Sequence, residues 1–261
     1  MHHSLCFILY TLDFNKLQIK IELIMHSILV NKIISTESYF IQDILTQKGK
    51  VYTFLNPVSY LIALDNKSLF CRFDGIFADG SILVSAIKMI YGKKVTRRSF
   101  DMTSIAPELL KYAADNDRML YVVASKQEQM EKAMDIFKER YPKLRFAGYR
   151  NGYFTSEKEM DCEAKHIVNL NPDFVIVGMG TLIQEKFLLK VKDAGFKGIG
   201  FTCGGFIHQT SKNEIDYYPL WVNRINLRFV YRMYKEKHTR KRYIQAALLF
   251  PARFIYERVF E

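Results

Sequence analysis

Residues 173–187 read DFVIVGMGTLIQEKF, and this stretch decides the fold. Phe174, Val175, Ile176 and Val177 form an apolar run with no polar alternation, the pattern of a strand covered on both faces. Gly178-Met179-Gly180-Thr181 turns the chain, and a helical pattern follows over 181–194. Working outward, the same unit recurs. Val51–Leu55 (VYTFL), 69–73 (LFCRF), Met119–Ala124 (MLYVVA), 144–147 (LRFA) and 198–202 (GIGFT) read as strands. Helices are expected near 80–91, 103–116, 126–140 and 157–169. Residues 18–23 and 28–34 read as a small hairpin or edge strands. The fold class is α/β: a Rossmann-like, mostly parallel sheet flanked by helices, with a basic C-terminal helical appendage. The division expected is an N-terminal extension over 1–24, an α/β domain over 25–215 and the appendage over 216–261.

With 49% hydrophobic and 25% charged residues in 261, the composition is that of a globular chain and excludes a disordered one. Cys6, Cys71, Cys162 and Cys203 are scattered without a C-x-x-C pair, so buried free thiols in a reducing compartment are expected, not a zinc site or disulfide framework. The first residues lack the basic start, unbroken apolar stretch and cleavage site of a signal peptide. No run approaches the ~20 apolar residues that span a bilayer. A cytoplasmic protein is expected. The net charge is +11, and from 221 to 261 ten Lys/Arg stand against three acids. A phosphorylated ligand, an anionic membrane or a nucleic acid would each account for such a tail.

In open α/β sheets, ligands bind beyond the carboxyl ends of strands. Asn56-Pro57 follows VYTFL, Asp79-Gly80 follows FDGIFA, and Gly180-Thr181 and Gly204-Gly205 follow the two later strands. Gly178, Gly180 and Thr181 open a helix whose N–H groups favour an anion, although strand-to-helix loops also use glycine simply to turn. Gln184 and Glu185, one turn in, face either the cleft or water. Asp79, among Ile76, Phe77 and Ala78, is either a general base with a raised pKa or the N-cap of the next helix. Gly80 leaves room for a substrate beside it. Thr53 has an ordinary strand reading, Asn56 a turn or cap reading, and His208 a solvated-loop reading beside that of a phosphate or sugar donor. Arg97 and Arg98 face an anionic ligand or water.

The stretches TFLNPVSY, FADGSILVSA, RRSFDMTS, GMGTLIQEKFL, GGFIHQTS and WVNRINLRFVYRMYKEKHTRKRY together resemble the WecG/TagA/CpsF glycosyltransferase family (glycosyltransferase family 26), in the family's order over roughly residues 28–245. The resemblance implies an inverting enzyme that moves a sugar from a UDP-linked donor to a polyprenyl-diphosphate-linked saccharide for bacterial surface polysaccharides. It implies Asp79 as catalytic base, Thr53 and Asn56 as pocket residues, and Gln184 and Glu185 beside the nucleotide. One of Arg97 and Arg98 would lie near the pyrophosphate, with Arg224, Arg232 and Arg240 closing over the diphosphate. Neither a cofactor nor a metal is implied: Asp74 and Asp79 lie outside Asp-x-Asp spacing, and arginines take the metal's place. Three departures bear on donor and acceptor identity: His208 where many members carry an acid, Arg228 for a glutamate, and Leu182-Ile183 for Pro-Lys.

An acceptor hydroxyl attacks the anomeric carbon as a base removes its proton, while guanidiniums and a helix N-terminus steady the departing diphosphate. In TRKRYIQAALLFPARFIYERVF, apolar Ile244, Leu248, Ile255 and Val259 interleave with basic residues, and Pro251 is expected to kink or break the helix. Such a segment lies on the anionic inner leaflet, or packs on the domain or in a homo-oligomer interface. Two rival readings are a nucleic-acid-binding protein, which leaves Asp79 unexplained, and a non-catalytic partner of a polysaccharide assembly complex.

Overall fold

The structure, a computed structural model, describes residues 28–212 and 228–260. The proposed extension over 1–24, the segment 18–23 and Arg224 lie outside the described residues. Among the described residues six strands, β1 (Val51–Leu55), β2 (Gly75–Ala78), β3 (Met119–Ala124), β4 (Arg145–Arg150), β5 (Phe174–Gly178) and β6 (Ile199–Thr202), form one sheet. Its order is β2-β1-β6-β5-β3-β4, and every pairing is parallel. The helices that position the site and the core are α1 (Pro57–Leu64), α2 (Ser81–Tyr91), α3 (Ile105–Asp115), α4 (Gln127–Arg140), α5 (Glu157–Leu170), α6 (Ile183–Asp193), α7 (Phe206–Thr210), α8 (Arg228–Lys235) and α9 (Arg240–Phe260).

Side chains alternate across each strand, so the two faces of the sheet carry different cores. Tyr52, Phe77, Leu120, Val122, Ile176 and Phe201 pack with residues of α3 and α4 on one face. On the other, Val51, Val123, Val175 and Val177 meet α5 and α6, while Leu55, Ile76 and Ala78 meet α1, α2 and α9. All-apolar β5 is therefore buried along its whole length, as a strand covered twice must be.

The run 69–73, read from sequence as a strand, is not one. Residues Lys67–Phe70 form a helical turn, and Phe70 and Phe73, three apart, are both buried, each in a different core. The strand lies further on, at Gly75–Ala78, inside the FDGIFADG stretch. Residues 28–34 are likewise not a hairpin: Ile28–Lys32 is helical, and Ile33 bridges to Ile76 in parallel, covering the β2 edge. The helix α1 was not anticipated. Asn56 caps it by accepting from the Val58 and Ser59 N–H groups, and Pro57 occupies its first turn. Cys6 lies outside the described residues; of the other thiols, Cys203 is buried, Cys71 half-buried and Cys162 exposed, so the expectation of burial fails for Cys162.

The C-terminal helix packs on the sheet domain along one face. Phe250 and Phe254 on α9 pack against Tyr60, with ring centroids 5.8 and 5.2 Å away. Buried Glu257 accepts from the Tyr60 hydroxyl at 3.2 Å and pairs with Lys67 at 3.1 Å. Arg253 grips Asp65 through two bonds. The helix also runs through Pro251 unbroken, because its buried face is already fixed by the phenylalanines one residue before and three after.

Candidate active site

The carboxyl ends of β1, β2, β5 and β6 open onto a cavity of about 900 Å³. It is lined by Asn56, Asp79, Gly80, Arg97, Gly178, Gly180, Thr181, Gln184, Gly204, Gly205 and His208 from the sheet domain, and by Arg228, Arg232 and Tyr243 from the C-terminal helices. Most of the residues named from sequence are thus brought together.

Asp79 follows β2 directly, its N–H bonded to the Leu55 carbonyl at 2.7 Å. The helix cap is Gly80 (φ 101°), with no side-chain cap bond, so the carboxylate is not spent on α2. Its oxygen lies 3.8 Å from Arg97 Nη1, and 34% of the side chain remains open to the cavity. Protein walls still remove most of its hydration. Burial, then the neighbouring charge of Asp101, pushes the carboxyl up to about 6, against the pull of Arg97, Arg228 and Arg232. An acid titrating there is ionised at neutral pH yet basic enough to take a proton.

Beneath the cavity floor lies a closed polar network. Glu185 is fully buried; its Oε1 accepts from Thr53 Oγ1 and Gln184 Nε2, each at 2.9 Å, and its Oε2 from the Leu182 N–H at 2.6 Å. Thr53 also meets Thr202 Oγ1 at 2.8 Å, and since its one proton goes to Glu185, Thr202 is the donor there. Gln184 Oε1 in turn accepts from the Gly204 N–H at 3.2 Å. This network holds Leu182 at φ 78°, a strained value for a branched residue. Burial raises the Glu185 pKa, opposed by the bonds from Gln184, Thr53 and Leu182. Thr53 and Glu185 do not line the cavity. They position the turns that do, which corrects the reading of Thr53 as a catalytic pocket residue.

The glycines divide by purpose. A Cβ on Gly178 would stand 2.6 Å from Cys203 Sγ and from the Gly204 carbonyl, so the two turns can approach only over a glycine. Gly180 has φ 84° and open space beside it, which turns its backbone toward the cavity.

The C-terminal helices close one wall. Arg228 Nη1 binds Asp101 Oδ2 at 2.9 Å and its Nη2 binds Thr103 Oγ1 at 2.6 Å, tying α8 to the loop that carries Arg97. Asp101 is held below the usual carboxylate range: burial would raise it, but Thr103, Arg228 and Ser99 outweigh that. Arg232 pairs with Glu236 at 3.3 Å and hydrogen-bonds Tyr243, whose phenol is raised by burial within the fields of Arg232 and Asp79. Two expected residues are placed elsewhere. Arg98 stacks on Tyr39 with its guanidinium carbon 4.0 Å from the ring centroid, and Arg240 is exposed, bonded to the Met233 carbonyl. Neither lines the cavity. Of the Arg97/Arg98 alternatives, Arg97 is the one at the site.

Asp101 and Tyr243 were not singled out from sequence. Asp101-x-Thr103 is an Asx-turn pattern, and Tyr243 sits three and seven residues before buried Ala246 and Phe250 on one helix face. The triplet Asp115-Asn116-Asp117 has Asp-x-Asp form but precedes β3, at the opposite end of the sheet, with Asp117 bound to Arg145.

A carboxylate poised near neutrality above arginines, at the carboxyl end of a parallel sheet, is equipment for group transfer between a hydroxyl and an anionic leaving group. Comparison with known proteins specifies which kind. The chain belongs to the glycosyl transferase WecG/TagA/CpsF family, whose model matches residues 27–261. It is similar to a UDP-Gal:alpha-D-GlcNAc-diphosphoundecaprenol beta-1,4-galactosyltransferase of Shigella boydii, 32% identical over 209 residues, covering 80% of this chain and 87% of that protein. It is also similar to an N-acetylglucosaminyldiphosphoundecaprenol N-acetyl-beta-D-mannosaminyltransferase of Bacillus subtilis (strain 168), 26% identical over 200 residues and covering 75% of each chain. A protein of the same description from Staphylococcus aureus (strain NCTC 8325 / PS 47) is 24% identical over 198 residues, covering 76% of this chain and 72% of that one.

Proposed function

We propose that this glycosyltransferase moves a hexose or N-acetylhexosamine, or its uronic acid, from a UDP-sugar to a polyprenyl-diphosphate-linked saccharide in bacterial surface polysaccharide synthesis. The relatives named above act on GlcNAc-diphosphoundecaprenol and form β linkages. The observation that carries the reading is Asp79, raised to about 6 at the wall of an arginine-flanked cavity.

Asp79 takes the proton of the acceptor hydroxyl as its oxygen bonds to the anomeric carbon. The bond from that carbon to the UDP oxygen breaks on the opposite face, with inversion. Arg97 and Arg232, together with the N–H groups of the Gly180-Thr181 turn, receive the charge gathering on the diphosphate. The Thr53–Glu185–Gln184 network keeps that turn and Gly204 in register. Where many members of the family carry an acid, His208 lines the cavity and bears on which donor fits.

The acceptor's lipid keeps the reaction at a membrane surface. Among the described residues no helix is long and apolar enough to cross a membrane. The outer face of α9 instead exposes Leu248 (75%), Val259 (63%) and Ile255 (50%), with Lys241 also exposed on it. Such a face lies in the headgroup region of an anionic leaflet, each Lys/Arg near the surface adding ~1 kcal/mol.

The reaction is tested by incubating the protein with a panel of UDP-sugars and synthetic GlcNAc-diphosphate lipid, then weighing products by mass spectrometry. A product heavier by one sugar, formed from one or a few donors, is expected. No transfer from any donor would overturn the proposal.

A further inference from the structure

We infer that the mouth of the cavity, between α9 and the first turns of α2 and α6, is a binding groove for the first isoprene units of the lipid-linked acceptor, an inference that rests on the reaction proposed above. The cavity has two chemically distinct parts. Around Asp79, Arg97 and the glycine turns it gathers charged and polar groups suited to a sugar and a diphosphate, beside the rings of Phe54 and Phe100. Toward α9 the same cavity is walled by Ile82, Ile183, Ile244, Ala247, Phe250 and Pro251. Neither a nucleotide sugar nor a diphosphate makes use of an aliphatic wall.

Those residues come from three elements, and apart from buried Phe250 they stay open. Ile82 is 44% exposed in the first turn of α2, Ile183 49% as the first residue of α6, and Ile244 58% on α9. First turns beside a polar site ordinarily carry polar residues that meet the free N–H groups. Here two branched aliphatic side chains flank the entrance instead. On α9, positions 244, 247 and 251 are spaced by three and four and so share one face. That face runs roughly 10 Å along the axis at 1.5 Å per residue, room for the first one or two isoprene units.

Charge fixes which end of a ligand lies where. Arg232 lines the same cavity as this aliphatic face, placing a cation where an apolar chain joins a diphosphate. Beyond the groove the apolar surface continues along α9 to Leu248 and Ile255, toward the face proposed to meet the membrane. A prenyl diphosphate, with an anionic head, a branched apolar chain and a bilayer origin, matches this order of surfaces. A second copy of the chain would match the apolar part but not the cationic end inside the cavity.

Transfer kinetics without membranes or micelles test this. The acceptors are GlcNAc-diphosphate esters of propanol, geraniol and farnesol, each held below its aggregation limit. For the wild-type protein, KM is expected to fall at least tenfold from the propyl to the farnesyl ester. Ile244→Asn and Ile183→Ser should each raise the farnesyl KM about tenfold and so remove the advantage over propyl. Equal KM values for propyl and farnesyl esters would overturn the groove while leaving the reaction standing. So would variants that raise both KM values alike, or an Ile244→Asn variant that only dissociates a dimer in sedimentation. Absence of transfer to every ester, and to the full lipid acceptor, would overturn the reaction itself and the groove with it.

Discussion

Thr53 and Glu185, 132 residues apart in the chain, meet 2.9 Å apart beneath the cavity, the threonine hydroxyl donating to the buried carboxylate. This bond joins β1 to the start of α6. Through Gln184 it reaches Gly204, so three of the four cavity-forming turns share one network. Thr53→Val keeps the shape but leaves Thr202 without its acceptor and Glu185 Oε1 with one donor fewer. Urea denaturation should show a loss of about 1–3 kcal/mol. A midpoint equal to wild type would mean the network holds nothing together.

The pH dependence of transfer follows from Asp79. Its ionised form is the base, so kcat/KM should fall about tenfold per unit below about pH 6. The stability effect has the opposite sense. The folded pKa is raised above the ordinary value of 3.8, so the native state holds this proton more tightly than the unfolded chain. That contribution is complete below the unfolded value and lost as the pH rises through about 6. Asp79→Asn should therefore raise Tm near pH 8 and lose that advantage near pH 4, as scanning calorimetry would show.

Much of the fold was legible because burial leaves a compositional trace. β5 is apolar throughout since helices cover both its faces, and the glycine turns stand out because Gly178 leaves no room for a Cβ while Gly180 and Gly204 take positive φ. What failed was what depends on partners far along the chain. LFCRF has the composition of a strand, yet its Phe70 and Phe73 are buried at helical spacing. Asp79 was equally consistent with a helix cap until Gly80 was found in that place. Thr53 and Glu185 could be named by resemblance, but their shared bond, which makes them positioning residues, joins segments that no local pattern connects. The Asp101–Arg228 pair, 2.9 Å apart, was missed for the same reason.

That pair makes a further prediction. Asp101 raises the Asp79 pKa directly, and also engages Arg228, which lowers it. Asp101→Asn removes the first effect and frees the second, so both changes act in one direction. The acid limb of the kcat/KM profile should move to lower pH. A limb that stays in place, in a variant with native circular dichroism, would show that Asp101 does not tune the base.

The C-terminal helix combines a docked face with a free one, and the two should respond differently. Phe254 is 1% exposed and packs on Tyr60, Tyr91 and Phe250. Phe254→Ala should cost about 3–5 kcal/mol, with amide exchange rising first in 240–260. Leu248→Asp, on the exposed face, should leave exchange near wild type but reduce co-sedimentation with anionic vesicles several-fold. Unchanged pelleting would remove the membrane role proposed for this face.

The most direct test replaces the carboxylate oxygen and keeps the shape. Asp79→Asn should bind UDP within a few-fold of wild type by calorimetry, because the arginines and the glycine turns remain. Transfer to GlcNAc-diphosphate lipid should fall by about 10²–10⁴-fold, the range a general base contributes. Turnover close to wild type by this variant, with UDP binding intact, would contradict the assignment of Asp79 as the base.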